Sequence, residues 1–444
     1  MLTVTEQPQI DKVQLRDNIV RELLLQFIFV TMVATDELYV YEHGIYKANG
    51  RPEQIIKEAT EKTLGKDCTA YDVNENIARI KRLTLMPDTF FDSVPKNLIP
   101  LADCVVDFEK NALLSFNKDL HFLSKVQVHY RPSETCPEIA KFLHEVLESE
   151  NDVLAIYEFI GYCLYRDYPI HTAFMFKGGG SNGKSTLLEM IKRFLGPENV
   201  SNISLQDLAN RFAIAELRGK MANFYADLKD EALTSTGNFK MLTGNDSFSA
   251  ERKFVQRRMS FRNLAKFAFS CNKIPENKDD DTLAFWRRWI IFDFSNVFEG
   301  EDCDRHKLEK LCTETEFSGL LNRALEGLQR LLKKGKFSND VGSLMTRTLW
   351  QKSDSVKTFI EEKLETDLSG FVTKAKCYSE YLKYCLENSV TPLDQKRFGR
   401  KLINSVNVRD GKHTVNGVLT TCYIGIKLKG QTEEGQSQFG DSNV

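Results

Sequence analysis

One eight-residue segment has the composition of a phosphate-binding loop. The residues from Gly178 to Ser185 match the pattern G-x-x-x-x-G-K-[ST] in full. An apolar run, Thr172 to Phe176, precedes the match and a helical pattern, Thr186 to Phe194, follows it, which is the context that the motif requires. Glycines let the backbone curl so that successive N–H groups and the helix N-terminus point at phosphate oxygens. The predicted nucleotide contacts are Gly178, Gly179, Gly180, Ser181, Asn182, Gly183, Lys184, Ser185 and Thr186.

Two side chains of this loop, together with a later carboxylate, have defined chemistry. Lys184 is expected to neutralise the β- and γ-phosphates of ATP, and the Ser185 hydroxyl is expected to bind Mg²⁺. The metal also needs a carboxylate at the end of a second strand, and the apolar run before Asp227 makes this residue the predicted second ligand. Asp230 and Glu231 follow closely enough to orient or deprotonate the attacking water; an exposed helix start is the alternative for either.

Two further segments are suited to complete a hydrolytic site. The strand pattern Lys266 to Cys271 ends at Asn272, whose amide would hold the γ-phosphate or the water; a simple turn residue is the alternative. Arg287 and Arg288 precede another strand pattern and suit an arginine finger, which stabilises transition-state charge at a neighbour's nucleotide. An arginine pair taken alone is usually surface charge. The predicted catalytic residues are Lys184, Asp227, Asn272, Arg287 and Arg288.

Positive charge is concentrated in two segments, although the net charge of the chain is −2. From Glu251 to Arg262, five basic residues and one acid are interleaved with Phe254 and Phe261. Such a segment contacts phosphates while its rings pack or stack, and a solvated hairpin face is the alternative. The second group lies on a helical pattern from Gln395 to Ile403. The predicted DNA contacts are Arg252, Lys253, Arg257, Arg258, Lys396, Arg397, Arg400 and Lys401.

The elements that position these residues divide the chain into several parts. At about 100 to 200 residues per domain, 444 residues predict two to four domains. Short apolar strands that alternate with helices after Pro169 are typical of a mostly parallel α/β fold. The predicted parts are an N-terminal α+β region at 1–130, a helical collar at 131–170, an α/β ATPase core at 171–300, a helical extension at 301–350, a winged-helix domain at 351–430 and a disordered tail at 431–444.

The pattern near the C-terminus predicts a small DNA-reading unit. Two strands between Thr414 and Lys427 surround Asn416-Gly417, a dipeptide that favours a tight hairpin turn. A winged helix places its third helix in a DNA groove. The three helices predicted before the hairpin are Val356 to Leu364, Cys377 to Glu387 and Gln395 to Ile403.

Upstream of this unit, the leucines from Arg305 to Lys334 predict one long helix that ends at Gly335.

Composition excludes several classes of protein. With 42% hydrophobic and 27% charged residues, the chain is close to the globular average, so wholesale disorder is excluded. No apolar run reaches the roughly 20 residues that cross a bilayer, and the first residues lack the pattern of a secretory signal. The 10 cysteines contain no C-x-x-C, which argues against a zinc module and a disulfide framework. We therefore expect a cytoplasmic protein without a membrane partner.

Taken in order, the motifs resemble the superfamily 3 helicases of phages, plasmids and large DNA viruses. Within them, the chain is similar to the phage/plasmid primase-helicase family that is related to the poxvirus primase-helicase. The similarity runs from about Tyr130 to Leu328. The matching pieces are the Gly178 to Ser185 loop, Gly219 to Asp227, Lys240 to Asp246 with Arg252 and Lys253 after it, Ser270 to Asn272, and Phe285 to Arg288.

The resemblance implies an AAA+-like core, hexameric rings, 3′-to-5′ movement on single-stranded DNA and a channel hairpin that carries Arg252 and Lys253. Its implied ligands are ATP and Mg²⁺, and its implied partners are single-stranded and forked DNA, origin duplex DNA and a separate primase or polymerase. Ala226 precedes Asp227 where many relatives have two adjacent acids, so the catalytic base stays unassigned. Residues 1–119 contain no paired-acid strand with the basic partners of a primase, so priming is not expected.

Two other functions are compatible with the same residues. In the first, the protein is an origin-binding replication initiator whose nucleotide site controls assembly without unwinding. In the second, the ATPase drives a remodelling or packaging motor that does not separate strands. DNA-stimulated ATP hydrolysis distinguishes the first from a helicase, and a forked substrate distinguishes the second.

Overall fold

The computed structural model of the chain describes residues 11–229, 231, 233–250, 259–275, 277, 282–298, 304, 306–352, 355–388, 392–406, 408–415 and 417–429. Several predictions fall outside these residues. They are the DNA contacts Arg252, Lys253, Arg257 and Arg258, the candidate Asp230, the turn residue Asn416 and the tail at 431–444.

The N-terminal part is a four-stranded sheet packed on three helices. The sheet order is β3-β2-β1-β4, in which β4 runs parallel to β1 and the other pairs are antiparallel. Asp11 caps the first helix, and Thr69 and Asp72 form a capping box at the third. The elements are α1 (Lys12–Gln26), β1 (Phe29–Met32), β2 (Leu38–Glu42), β3 (Ile45–Lys47), α2 (Arg51–Leu64), α3 (Ala70–Leu83) and β4 (Leu85–Met86).

A small antiparallel sheet and two collar helices connect this part to the core. The first collar helix begins at Pro137 and ends at Val146, because Leu147 is extended and Ser149 caps a new helix through the N–H of Asp152. The elements are β5 (Leu98–Pro100), β6 (Val105–Asp107), β7 (Ala112–Leu114), α4 (Pro137–Val146) and α5 (Glu150–Leu164).

The core is a five-stranded, entirely parallel sheet in the order β14-β8-β13-β10-β9, which confirms the predicted α/β class. A separate antiparallel ribbon, β11 with β12, leads to and from the basic segment. The elements are β8 (Ala173–Lys177), α6 (Lys184–Leu195), β9 (Val200–Ser201), α7 (Arg211–Ile214), β10 (Ala222–Tyr225), α8 (Gly237–Thr243), β11 (Ser247–Ala250), β12 (Met259–Arg262), β13 (Lys266–Cys271), α9 (Leu283–Trp286) and β14 (Trp289–Asp293).

Both faces of this sheet are buried, as parallel sheets require. Along β8, Phe174 and Phe176 pack into one apolar cluster with α5, α6 and the later helices. Ala173 and Met175 pack into a second cluster on the opposite face. The central strands therefore read as continuous apolar runs in the sequence. None of the helices within the described residues combines the length and apolarity needed to span a membrane.

The single helix predicted from Arg305 to Lys334 is wrong, because the chain forms two helices there. Thr313 is extended and its side chain caps the second helix through the N–H of Glu316, which satisfies a donor that a continuous helix would bond internally. The long second helix ends at Gly335 with a φ of +70°, as the glycine predicted. The elements are α10 (Lys307–Leu311), α11 (Glu314–Lys334) and α12 (Ser343–Lys352).

The C-terminal part contains the three predicted helices and the predicted hairpin, together with a strand that the sequence did not indicate. This strand, β15, completes an antiparallel sheet in the order β15-β17-β16. Its many polar residues leave no regular alternation of apolar and polar side chains in the sequence. Hydrogen bonding to β17 keeps the segment extended. The elements are α13 (Ser355–Lys363), β15 (Leu364–Thr373), α14 (Lys374–Glu387), α15 (Gln395–Ser405), β16 (Arg409–Val415) and β17 (Val418–Leu428).

Candidate nucleotide-binding site

The predicted site residues meet at the carboxyl edge of the parallel sheet. The N–H of Gly178, directly after β8, donates to the carbonyl of Cys271 at 3.2 Å, and Asn272 follows this cysteine. The N–H of Leu228, directly after Asp227, donates to the carbonyl of Ser270 at 2.7 Å. The phosphate loop, Asp227 and Asn272 therefore end three neighbouring strands at one edge, where open α/β sheets bind their ligands.

The loop has the shape of a phosphate cradle. Gly180 and Gly183 have φ angles of +114° and +84°, which side chains rarely tolerate. A Cβ atom on Gly178 would lie 2.1 Å from Nδ2 of Asn182 and 2.5 Å from the carbonyl oxygen of Phe294. Helix α6 then begins at Lys184 without a side-chain cap, so its first N–H groups are available to an anion. These features fit a triphosphate.

Lys184 is buried in this cradle, with 5% of its surface exposed. Its ammonium donates to the carbonyl of Gly178 at 2.7 Å and to Oδ1 of Asn182 at 2.8 Å. The Asn182 amide in turn donates to the carbonyl of Phe294 at 3.0 Å. Burial lowers the pKa of Lys184, and Cys271 and Asp227 act in the opposite direction. The cation thus rests on neutral oxygens that phosphate oxygens can replace.

The two predicted magnesium ligands lie at the same edge. Ser185 is exposed on the first turn of α6, and Asp227 is exposed with a φ of +62°. Mg²⁺ prefers oxygen ligands and usually takes one or two carboxylates together with substrate phosphates. A hydroxyl and one carboxylate fit this requirement. Among the described residues, no cluster of three His, Cys, Asp or Glu could bind a metal by protein side chains alone. Glu231 is exposed and lies 4.0 Å from the ammonium of Lys229.

The two predicted finger arginines lie at the other end of the sheet from the loop. They precede β14, whose first residue pairs with Ala173 at the start of β8. A strand of five residues spans about 16 Å, so neither guanidinium reaches its own chain's phosphate loop. Arg287 is exposed. As a finger, Arg287 would therefore have to reach the site of another chain.

Arg288 has a different environment, which argues against the predicted catalytic role. It is 7% exposed, its Nε donates to Oγ1 of Thr243 at 3.0 Å, and its Nη2 donates to the carbonyl of Lys240 at 3.4 Å. Its Nη1 donates to the carbonyl of Ala284. Thr243 and Lys240 lie in the last turn of α8, where helix carbonyls favour a cation, and Ala284 lies in α9. We therefore assign Arg288 to packing and retain Arg287 as the finger candidate.

The basic residues of α15 form an outward face. Lys396, Arg397 and Arg400 are exposed and Lys401 is half-buried. On the other side of the helix, the apolar residues are buried against the C-terminal core. Arg397 lies 3.4 Å from the carboxylate of Asp394. Three of the four charges predicted to contact DNA on this helix are thus presented to solvent.

One charged pair at the sheet edge was missed in the sequence. Nζ of Lys177, the last residue of β8, lies 3.1 Å from Oδ2 of Asp293, the last residue of β14. Both residues end strands directly beside the phosphate loop. The available signal was an acid at the end of an apolar run, which is the signal that indicated Asp227.

Three family models match separate segments of the chain. The model described as D5 N terminal like matches residues 14–148. A family of unknown function, DUF5906, matches residues 176–288, which contain the phosphate loop, Asp227, Asn272 and the arginine pair. The model described as Poxvirus D5 protein-like matches residues 351–430.

The chain is also similar to one viral protein and to one solved structure. A helicase candidate from Acanthamoeba polyphaga mimivirus is 27% identical over 172 residues, which cover 37% of this chain and 18% of that protein. The apo A form of the NrS-1 C-terminal region has a TM-score of 0.51 at 14% identity, with coverage of 92% of this chain and 98% of that chain. This structure shows a shared fold. The resemblance to the poxvirus-related primase-helicases, which the motifs indicated, is thereby confirmed.

Proposed function

We propose that the protein is an ATP-dependent DNA helicase in the replication system of a phage, plasmid or other mobile element. The observation that supports this most strongly is the convergence of a phosphate cradle, a carboxylate and an amide at one edge of a parallel sheet. The similarity to primase-helicases supports DNA as the substrate. Since the mimivirus match covers 18% of that protein, the activity of the whole relative enters only as a proposal.

In this proposal, Gly178 to Thr186 hold the triphosphate, and Ser185 and Asp227 hold Mg²⁺. When bound, the metal offsets phosphate charge during hydrolysis. Lys184 exchanges its two loop oxygens for phosphate oxygens, and release of Asn182 Oδ1 leaves that amide anchored on Phe294. Asn272 orients the γ-phosphate or the attacking water. Asp293 beside the loop is paired with Lys177, so the catalytic base is sought among Asp227, Asp230 and Glu231.

The ring is the second part of the proposal. Because Arg287 lies at the opposite end of the sheet from its own loop, it completes a site only when chains assemble head to tail. A hexamer places each Arg287 at the nucleotide of the next protomer, where a guanidinium stabilises transition-state charge. We expect this assembly in the host cytoplasm.

DNA is engaged at two places in this proposal. The basic segment between β11 and β12, with Arg252 and Lys253, lines the channel and moves one strand 3′-to-5′. The C-terminal part acts as a winged helix with an AAA+-like core before it: α15 enters a groove of origin duplex DNA, and the β16–β17 hairpin forms the wing. A separate primase or polymerase supplies primers.

A second candidate function is a nucleotide-controlled origin-binding initiator that does not unwind DNA. The exposed basic face of α15 favours it, because this face suits duplex recognition without reference to ATP hydrolysis. The two functions differ in what ATP hydrolysis accomplishes. An initiator binds origin duplex with little DNA-stimulated turnover, whereas a helicase couples turnover to strand separation.

The experiment is unwinding by the purified protein, measured alongside its mass in solution. A fork with a 3′ tail, a fork with a 5′ tail and a blunt duplex are compared with ATP and Mg²⁺, and the Lys184→Ala variant is the control for a contaminating helicase. The proposal expects a mass of six chains and release of the strand from the 3′-tailed fork alone. DNA binding without strand release would favour the initiator.

A further inference from the structure

A large cleft lies between the N-terminal sheet and the parallel core, away from the phosphate loop. Its volume is about 1180 Å³, larger than the roughly 300–1,000 Å³ typical of pockets for one small molecule. Its walls include β3, the edge strand of the N-terminal sheet, and β9, the edge strand of the core sheet. None of the residues of the phosphate loop lines it.

The lining combines apolar, polar and charged residues, and its cations outnumber its acids. One acid, Glu37, accepts from Arg218 across the cleft at 3.0 Å and from the Tyr39 hydroxyl at 2.6 Å, so its charge is matched. The lining acids are Glu37, Glu198 and Glu216, and the lining cations are Lys47, Arg51, Lys125, Arg218 and Lys220.

Two of these cations rest on neutral groups. Nζ of Lys125 donates to the carbonyl of Ala102 at 3.0 Å and lies 5.0 Å from the centre of the Phe116 ring. Nζ of Lys220 donates to the carbonyl of Glu198. Among the described residues, no carboxylate lies within salt-bridge distance of either ammonium. A salt bridge therefore neutralises neither charge, although Lys125 itself is buried, with 9% of its surface exposed.

The positive charge of Lys47 acts on Lys125. Burial lowers the pKa of Lys125, and the positive charge of Lys47 lowers it further. Lys47 lies 3.6 Å from Oε2 of Glu42, but this carboxylate already accepts two hydrogen bonds from Arg51, at 3.0 and 3.1 Å. Two ammonium groups thus repel each other at the cleft wall, and an anion between them would relieve the repulsion.

The N-terminus of α2 adds to the same positive field. Gly50 precedes this 14-residue helix without a side-chain cap, and Asn49 and Arg51 on either side of it line the cleft. The positive end of the helix dipole attracts anions there, although Arg51 donates its N–H to the carbonyl of Ala48 and Pro52 has none. The exposed amides of Asn49, Gln127 and Asn202 supply donors and acceptors for sugars and bases.

We propose that this cleft binds the phosphate backbone of a single-stranded DNA segment. Cations lie on both walls, Lys47 and Lys125 on one and Lys220 on the other, which suits a run of phosphates better than one phosphate group. The choice of DNA rests on the proposed function, whereas the anion-binding character rests on the cleft itself. The cleft is a second DNA contact, separate from the basic segment and from α15.

The test uses the full chain without nucleotide and a fluorescein-labelled oligo(dT) of about 30 residues. Affinity is measured by anisotropy between about 50 and 200 mM salt for the wild type and the Lys47→Gln/Lys220→Gln variant. The matched control is Lys57→Gln/Lys62→Gln, which removes two exposed lysines of α2 outside the cleft. Loss of two phosphate contacts on a single strand reduces the slope of log affinity against log salt by about 1.4.

Weaker binding with this smaller slope, in the cleft variant but not in the control, supports the cleft. Equal slopes and affinities for both variants and the wild type would overturn it. A cleft variant that loses affinity for a fluorescent ATP analogue and keeps oligo(dT) binding would also overturn it. Since no ATP is hydrolysed here, failed fork unwinding would reject the helicase proposal without affecting this result. Circular dichroism melting confirms that each variant is folded.

Discussion

At the scale of residues, two buried lysines show how partners decide the role of a charge. Lys184 is held by one carbonyl and one side-chain amide oxygen of a glycine-rich loop, so it can exchange them for phosphate. Lys266 is fully buried at the start of β13, where it donates to the carbonyls of Tyr165 and Leu264. Its ammonium also lies 4.7 Å from the centre of a tyrosine ring, that of Tyr162. The partners of Lys184 can thus be replaced by a ligand, whereas those of Lys266 hold its side chain inside the protein.

The Lys184→Ala variant should lose ATP hydrolysis and keep its fold. Removing this cation from a preorganised site costs about 100-fold or more in turnover, by analogy with other charge-stabilising groups. Phosphate release and the thermal unfolding midpoint are measured together. Turnover close to that of the wild type would remove the phosphate-loop assignment.

Lys266 makes stability depend on pH. Burial lowers its pKa to about 7, whereas an unfolded lysine titrates near 10.4, so the unfolded state binds more protons between these values. The free energy of unfolding therefore rises with pH across this window. We expect the difference between the wild type and Lys266→Met to grow in favour of the wild type from about pH 7 to about pH 10. Urea unfolding at several pH values measures it, and parallel pH curves would contradict it.

At the scale of elements, close packing fixes the collar helix α5 against α11. A Cβ atom on Gly161 of α5 would lie 2.1 Å from the carbonyl oxygen of Ala324 on α11. A Cβ atom on Gly327 of α11 would lie 2.8 Å from the backbone of Tyr157 on α5. Each helix therefore has a glycine where the other approaches. Arg330 and the buried carboxylate of Glu158 add a hydrogen bond of 2.7 Å to the same contact.

Gly161→Ala should destabilise the protein although alanine favours helices. Alanine gains about 1 kcal/mol of helix propensity, but the new methyl group meets a backbone carbonyl that cannot turn away, and overpacking costs about 1–3 kcal/mol. The midpoint of thermal unfolding should fall by several degrees. Gly237→Ala is the control, because nothing lies within 4 Å of the added Cβ in α8, and its midpoint should stay or rise. Equal midpoints for both variants would contradict the close contact.

At the scale of the whole molecule, the sheet separates the parts of the proposed reaction. The phosphate loop, Asp227 and Asn272 lie at one end of the strands and Arg287 lies at the other. A single chain thus presents the loop, Asp227 and Asn272 at one surface and Arg287 at another. Head-to-tail assembly would join these two surfaces, which is the reason that we propose a ring rather than a monomeric ATPase.

Mixing two inactive variants tests this arrangement. Lys184→Ala lacks a working loop and Arg287→Ala lacks the finger, so each should be inactive alone. In mixed rings, the two kinds of chain take up positions at random. About a quarter of the interfaces therefore combine an intact loop with an intact finger from the neighbour. Partial recovery of ATP hydrolysis on mixing is expected. Absence of any recovery, with mixed assembly shown by mass, would contradict a finger in trans.

The sequence predicted the elements that local patterns specify. Lys266 to Cys271 is a strand with the predicted bounds, and α11 ends at Gly335 as predicted. The helix predicted from Thr186 to Phe194 runs from Lys184 to Leu195. It did not predict the break at Thr313 or the strand β15, since a threonine cap looks like any exposed polar residue and a polar strand lacks a periodic signal. The strand β15 also depends on pairing with β17, which is distant in the sequence.

By itself, the sequence determined the position and the shape of the glycine-rich loop, because the conformational freedom of its glycines is a property of the residues. It also determined the parallel α/β class, through apolar runs buried on both faces. Only the tertiary structure separated Arg287 from Arg288, because two adjacent residues of one type differ only in what surrounds them. It alone revealed the cleft, since Lys47, Lys125 and Lys220 are far apart in sequence and come together only through packing of two sheets.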